Sequence, residues 1–264
     1  VSTFVRAPRR RPRAQRGAPV WLFDLDNTLH AASHAVFPAI NRAMTQYIVD
    51  VLEVPHDEAN QLRTSYTQRY GATLLGLTRH HPVDPHHFLK VVHTFPDLRS
   101  MLRAERGIAR LVAALPGRKM VLTNAPEAYA RAVLAELGIE RLFERVIAIE
   151  HMRDRHGWRA KPDATMLRRA MRDAHVPLRD AMLVEDTRGH LKRYRRLGIR
   201  TVWITGHLPA LPRAPGVPAR LPGTGRPHYV DRCIRSLKSL HTGAGRARFK
   251  GRHSCSQTPD LTQP

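Results

Sequence analysis

Residues 20–28 read VWLFDLDNT: four apolar residues, two aspartates spaced i and i+2, then two turn formers, Asn27 and Thr28. A continuous apolar run closed by polar residues fits a strand of a parallel sheet buried on both faces. Four more such runs follow at 119–123 (KMVLT), 145–149 (RVIAI), 181–184 (AMLV) and 201–205 (TVWIT). Helical patterns stand between them at about 105–115, 127–137, 163–175 and 188–197, with Gly138 and Gly198 where helix C-termini favour glycine. The alternation predicts an α/β fold, a doubly wound parallel sheet with right-handed crossovers.

The rhythm breaks once. Roughly 95 residues separate the first run from the second, with helical patterns at about 35–53, 57–70 and 84–93. That is too much chain for an unstructured loop in a compact domain. The sequence therefore predicts a core over 20–30 and 105–240 with a helical cap inserted at 31–104. The Arg-rich start, 1–19, and the Gly, Ser, Thr and Pro-rich end, 241–264, read as disordered basic tails.

Composition narrows the function classes. No apolar run in the 264 residues approaches the ~18 to 20 needed to span a bilayer, which excludes a membrane-embedded protein. With 44 Lys+Arg against 22 Asp+Glu, the net charge of +22 points to phosphorylated substrates, nucleic acid or an anionic surface without choosing among them. Any nucleic-acid contact is expected only through the tails. Cys233 and Cys255 do not make a disulfide framework, and VWLF is cut short by Asp24 before it could serve as a signal core, so a cytoplasmic setting is expected.

The chemistry collects at strand ends. Asp24 and Asp26 follow the first run at the carboxyl edge, where an open parallel sheet forms its ligand crevice. In extended chain, residues i and i+2 project to one face roughly 6 to 7 Å apart. Thr123 and Asn124 end the second run just before a helix, so a hydroxyl, an amide and unpaired helix-start N–H groups form a cradle for phosphate oxygens. Lys161 sits in RAKPD, between a loop and a helix with Pro162 in its first turn, placed to reach the crevice as a point charge. Glu185 and Asp186 end the fourth run, bringing a second acidic pair to the same edge. Four converging carboxylates require a cation. Mg²⁺ suits an all-oxygen set beside a phosphate, whereas zinc would want Cys or His ligands. The histidines of the cap, His80, His81, His86, His87 and His93, show no zinc spacing and read as solvated or helix-face residues, with substrate contact left open for one or two.

Asp24, Asp26 and Thr28, then Thr123, Lys161, and Glu185 with Asp186, in that order on successive strand ends, resemble the haloacid dehalogenase superfamily of phosphotransferases over about residues 20–240. The helical insertion resembles that superfamily's C1-type cap. More narrowly, YGATLLGLTRHH (70–81), HHFLKVVH (86–93), LPGRKMVLTNA (115–125) and MLVEDTRGHLKRYRRLGIRTVWIT (182–205) are similar to the branch of pyrimidine 5′-nucleotidases.

The resemblance implies a Rossmann-like core and a Mg²⁺-dependent phosphomonoesterase of subfamily IA. Asp24 would attack phosphorus and form an aspartyl-phosphate, while Asp26 would protonate the leaving oxygen and later deprotonate water. Thr123, Asn124 and Lys161 would hold the phosphoryl oxygens. Asp24, the Asp26 backbone carbonyl and Asp186 would hold the metal, with Thr28 and Glu185 behind them. Asp26 argues against dehalogenation, in which halide leaves unprotonated. Phosphomutases and phosphatases of sugar phosphates or phosphoglycolate share the core residues and stay as alternatives, as does a basic nucleic-acid-binding protein on the same fold. One departure stands out: His190 occupies a position where the branch commonly has Asn, four residues after the metal aspartate. It is expected to perturb the loop behind Asp186.

Overall fold

The computed structural model describes residues 18–208 and 226–243. Both tails' basic segments fall almost wholly outside the described residues, and so does any nucleic-acid contact expected of them. Among the described residues no helix is long and apolar enough to cross a membrane.

Six parallel strands form one sheet in the order β3-β2-β1-β4-β5-β6. They are β1 Val20–Phe23, β2 Lys119–Leu122, β3 Arg145–Ile147, β4 Ala181–Glu185, β5 Arg200–Ile204 and β6 Arg232–Ile234. The chain order reverses on either side of β1, so β1 and β4 flank the switch point at which such sheets bind ligands. The doubly wound α/β expectation holds, and β6 is an addition to it.

Side-chain alternation explains why the strands are apolar throughout. Trp21, Phe23, Val121, Val184 and Val202 pack into one cluster, while Val20, Leu22, Leu122, Leu183 and Trp203 pack into a second on the opposite face. Nine helices accompany the sheet among the described residues. Those between β1 and β2 are α1 Val36–Leu52, α2 His56–Tyr70, α3 Thr73–His80, α4 Pro85–Val92, the single turn α5 Leu98–Met101 and α6 Ile108–Ala113. Then come α7 Glu127–Glu136, α8 Ala164–Asp173 and α9 Arg188–Arg195. Helix α6 packs through Ile108 and Val112 on the first face, joined by Tyr129 and Val133 of α7. Helix α8 covers the second face through Leu167 and Met171, with Leu191 of α9.

Helices α1 to α4 share a third apolar cluster, in which Ile48, Tyr66, Leu77, Phe88 and Val92 are buried. Asp84 starts α4 by accepting from the His86 N–H, with Pro85 in the first turn. Helices α2 and α3 approach closely at Gly76. A Cβ on Gly76 would lie 2.1 Å from Cγ of Tyr66, so only glycine fits against that ring. Gly76→Ala is expected to destabilise by about 1 to 3 kcal/mol despite the better helix propensity of alanine. A thermal melt of that variant checks it, and an unchanged midpoint would refute the close approach.

Cys233 lies on β6, whereas Cys255, the other cysteine of the sequence, lies outside the described residues.

Candidate active site

The chain leaves the sheet at Phe23, and Asn27 makes the turn. Its backbone adopts a positive φ of 59°, which asparagine tolerates better than most residues. Its side chain closes the turn on Ser33, donating from Nδ2 to Oγ at 2.8 Å and accepting the Ser33 N–H on Oδ1 at 2.9 Å. This turn delivers Asp24 and Asp26 into one cavity of about 480 Å³ at the carboxyl edge of the sheet. Thr123, Asn124, Lys161, Glu185 and Asp186 line it as well, so seven of the eight residues singled out in the sequence meet there. Thr28 does not line the cavity; it is fully buried, with its hydroxyl unpartnered.

Lys161 is the electrostatic centre. It is 2% exposed, and its ammonium donates to Asp24 Oδ1 at 2.5 Å and to Glu185 Oε2 at 2.9 Å. Desolvation opposes its charge, but the two carboxylates outweigh that and hold it protonated. Asp24 is pushed up to about 7, by burial first and then by the charge of Glu185, against the pull of Lys161. Asp186 is pushed up for the same two reasons. Glu185 is driven down despite burial, because Lys161 and then His190 favour its anion. Both Glu185 oxygens are engaged: Oε1 accepts the Thr187 N–H at 3.1 Å, while Oε2 faces Lys161 and stands 3.2 Å from His190 Nδ1. His190 thus turns toward Glu185, although Nδ1 meets it outside hydrogen-bonding geometry. The Asp186 backbone carbonyl is fixed by the buried Trp203 indole N–H at 2.9 Å.

One carboxylate oxygen from each of Asp24, Glu185 and Asp186 lies within 4.8 Å of the others. Three buried acids served by a single lysine leave negative charge uncompensated, and their all-oxygen donor set fits a hard divalent cation such as Mg²⁺.

Asp26 occupies a different environment. Its Oδ1 accepts from the Tyr129 hydroxyl at 2.7 Å and lies 3.0 Å from His30 Nε2. Burial works against its anion, but the His30 and Tyr129 contacts bring its pKa below the ordinary value. His93 also lines the cavity, and desolvation pushes its ring down to about 4. The neutral imidazole therefore donates from Nδ1 to the Leu89 carbonyl at 3.0 Å and keeps a lone pair on Nε2. Neither Tyr129 nor His30 was singled out in the sequence. His30 is only four residues from Asp26, but Tyr129 is 103 residues away and no local pattern marks it.

Thr123 is 1% exposed; its oxygen accepts the Ala125 N–H at 3.0 Å, which leaves the hydroxyl hydrogen to donate into the cavity. Asn124 departs from expectation. Its Oδ1 accepts the Lys161 N–H at 2.6 Å and its Nδ2 donates to the Lys161 carbonyl at 3.4 Å. The amide read as a phosphate ligand is spent on the backbone of Lys161, and it acts on the site by fixing that lysine.

A family model described as haloacid dehalogenase-like hydrolase matches residues 21–204. Phosphate metabolism protein 8 of Saccharomyces cerevisiae is 23% identical over 205 residues, covering 73% of this chain; the chain spans 63% of that relative's length. Among solved structures, CbbY from Rhodobacter sphaeroides in complex with phosphate is similar at a TM-score of 0.57 and 21% identity, covering 85% of this chain and 96% of its own. A second CbbY structure, in complex with xylulose-(1,5)bisphosphate, has a TM-score of 0.56 at 20% identity, over 85% and 96% of the two chains. A putative haloacid dehalogenase-like hydrolase from Bacteroides fragilis gives 0.53 at 16%, over 85% and 100%.

Proposed function

The chain belongs to the haloacid dehalogenase-like hydrolase family, and from that premise we propose that it is a phosphomonoesterase acting on pyrimidine nucleoside 5′-monophosphates through an aspartyl-phosphate. The observation that carries the reading is the buried meeting of Asp24, Lys161, Glu185 and Asp186 beside a second, separately held acid, Asp26. The core is the α/β unit on the sheet, and residues 31–104 serve as its cap.

An Asp24 carboxylate oxygen attacks phosphorus while the bond to the ester oxygen breaks, and Asp26, whose surroundings favour its anion, must take up a proton as the anionic phosphate arrives before giving it to that oxygen. Asp26, now a carboxylate held by Tyr129 and His30, takes a proton from water, which attacks phosphorus and breaks the bond to Asp24. Thr123 Oγ and the Lys161 ammonium hold phosphoryl oxygens as charge develops on them. Mg²⁺, held by Asp24, Asp186 and the Asp26 carbonyl, would offset the repulsion between the anionic nucleophile and the phosphate. Glu185, with both oxygens occupied, positions Lys161 and the start of α9.

The CbbY structures were solved with phosphate and with a sugar bisphosphate, which supports a phosphate-ester site and makes sugar phosphates the second reading. A panel of phosphomonoesters separates the two. With Mg²⁺, phosphate release is expected to be fastest from uridine or cytidine 5′-monophosphate and slower from sugar phosphates and phosphoglycolate. Chelation should abolish it. Mg²⁺ at 100 times its dissociation constant should stabilise the fold by about 2.7 kcal/mol, read as a rise in melting temperature. A melting point indifferent to Mg²⁺ would reject the metal assignment.

A further inference from the structure

The cap carries an arginine that the proposed reaction does not use. Arg63 on α2 is 7% exposed, has no carboxylate partner among the described residues, and leaves its Nε without a hydrogen bond. Desolvation lowers its pKa, as expected for a cation held without a counter-charge. Its two remaining nitrogens donate to neutral amides, Nη1 to Asn41 Oδ1 at 3.1 Å and Nη2 to Asn60 Oδ1 at 2.8 Å. A buried, unpaired cation costs stability, so the contacts it makes call for a reason.

Asn41 supplies one. It lies on α1 and lines the same cavity as Asp24 and Asp26. An arginine can only donate, so the amide must turn Oδ1 toward Arg63, and its orientation is not ambiguous. The Nδ2 group is then directed away from Arg63, and its N–H donors have no acceptor among the described residues. A hydrogen bond from a cation to Oδ1 also polarises the amide and strengthens those donors. The cap's share of the cavity wall includes the apolar Phe37 and Met44 from the same helix and Leu74 and Phe88 from α3 and α4, together with Thr67 and Thr73, whose hydroxyls are engaged with the Arg63 carbonyl. One oriented donor beside these apolar side chains favours a group that has an apolar face and carries a hydrogen-bond acceptor.

We propose that Asn41, aimed by Arg63, is the residue through which the cap reads the leaving group, donating from Nδ2 to a ring carbonyl oxygen such as those of a pyrimidine base. The inference rests on the phosphomonoesterase reading above and adds the residue that sets specificity. Arg63 is a positioning residue in it, acting through Asn41.

The test is the ratio of kcat/KM for uridine 5′-monophosphate to that for phenyl phosphate, whose ring has no carbonyl, measured on the full chain with Mg²⁺. Asn41→Asp keeps an oxygen for Arg63 but replaces the donor with an acceptor, and should lower the ratio by about 10- to 100-fold. Arg63→Met should lower it in the same direction, and Asn41→Ala combined with Arg63→Met should do no more than Asn41→Ala alone. An unchanged ratio in Asn41→Asp, or fully additive effects in the double variant, overturns the proposal. If Arg63→Met does not fold, Asn41→Asp decides alone. A wild-type chain that works best on a sugar phosphate defeats the nucleotidase reading, and the Asn41→Asp ratio then still decides the present one. A wild-type ratio near one defeats the present inference while leaving the phosphatase reading in place.

Discussion

Asp24→Asn is expected to leave a folded protein with phosphate release reduced by at least about 10⁴-fold, the scale on which loss of a nucleophile acts. The amide cannot displace the ester oxygen, and neither Asp26, tied to Tyr129 and His30, nor Glu185, tied to Lys161, is free to replace it. The same variant should be more stable than the parent in the absence of a divalent cation at neutral pH and above. The sign follows from the raised pKa. Asp24 binds its proton more tightly folded, at about 7, than at its ordinary 3.8, so the folded state holds more protons across that interval. Stability is then fully present below about pH 4 and is lost as pH rises toward 7. Asp186 contributes a decline of the same sign. Asparagine removes the Asp24 part, so melts at pH 5 and pH 8 without cation should differ less in the variant. Full activity in Asp24→Asn would discard the covalent route, and an identical pH dependence of stability would discard the charge crowding behind it.

Some of this arrangement was legible in the sequence, for a physical reason. A strand buried on both faces shows as an unbroken apolar run, and the polar residue that ends it stands at the sheet edge. Asp24, Thr123 and Asp186 could therefore be placed on one rim before any tertiary contact was known. Helix α3 escaped because residues 70–81 contain Gly71 and Gly76 and only a short apolar face. Its packing makes it a helix, with Gly76 seated on the Tyr66 ring. Strand β6, three residues with an arginine and a half-buried cysteine, has no apolar run to find and exists by pairing with β5.

The site's supporting contacts were hidden for a different reason. Tyr129 reaches Asp26 across 103 residues, and Asn124 clasps Lys161 across 37. The sequence marks which residues carry chemistry but not which hold them. Asn124 shows the difference, since its position at a strand tip is right for a phosphate ligand while its amide serves the backbone of Lys161. Arg63 and Asn41, 22 residues apart on neighbouring helices, are likewise connected only once α1 and α2 pack.

Lys161→Met should have the largest effect on stability, and the size of that effect should depend on metal and on pH. Removing the ammonium leaves Asp24 and Glu185 buried, 5% and 1% exposed, without their shared counter-charge. Breaking a buried ion pair in this way costs about 3 to 5 kcal/mol. For a chain of this size that lowers the melting temperature by on the order of 10 °C. Glu185 owes its depressed pKa to Lys161 first, so in the variant its proton is held more tightly and the deficit should shrink as pH falls through the carboxylate range. A divalent cation offers the same carboxylates a substitute charge. Mg²⁺ should therefore raise the melting temperature of Lys161→Met by more than it raises that of the parent, while activity stays low because the phosphoryl oxygens have lost their lysine. Equal Mg²⁺-induced shifts in the two proteins would mean that lysine and cation do not compensate the same charges, and the electrostatic account of this cavity would have to be abandoned.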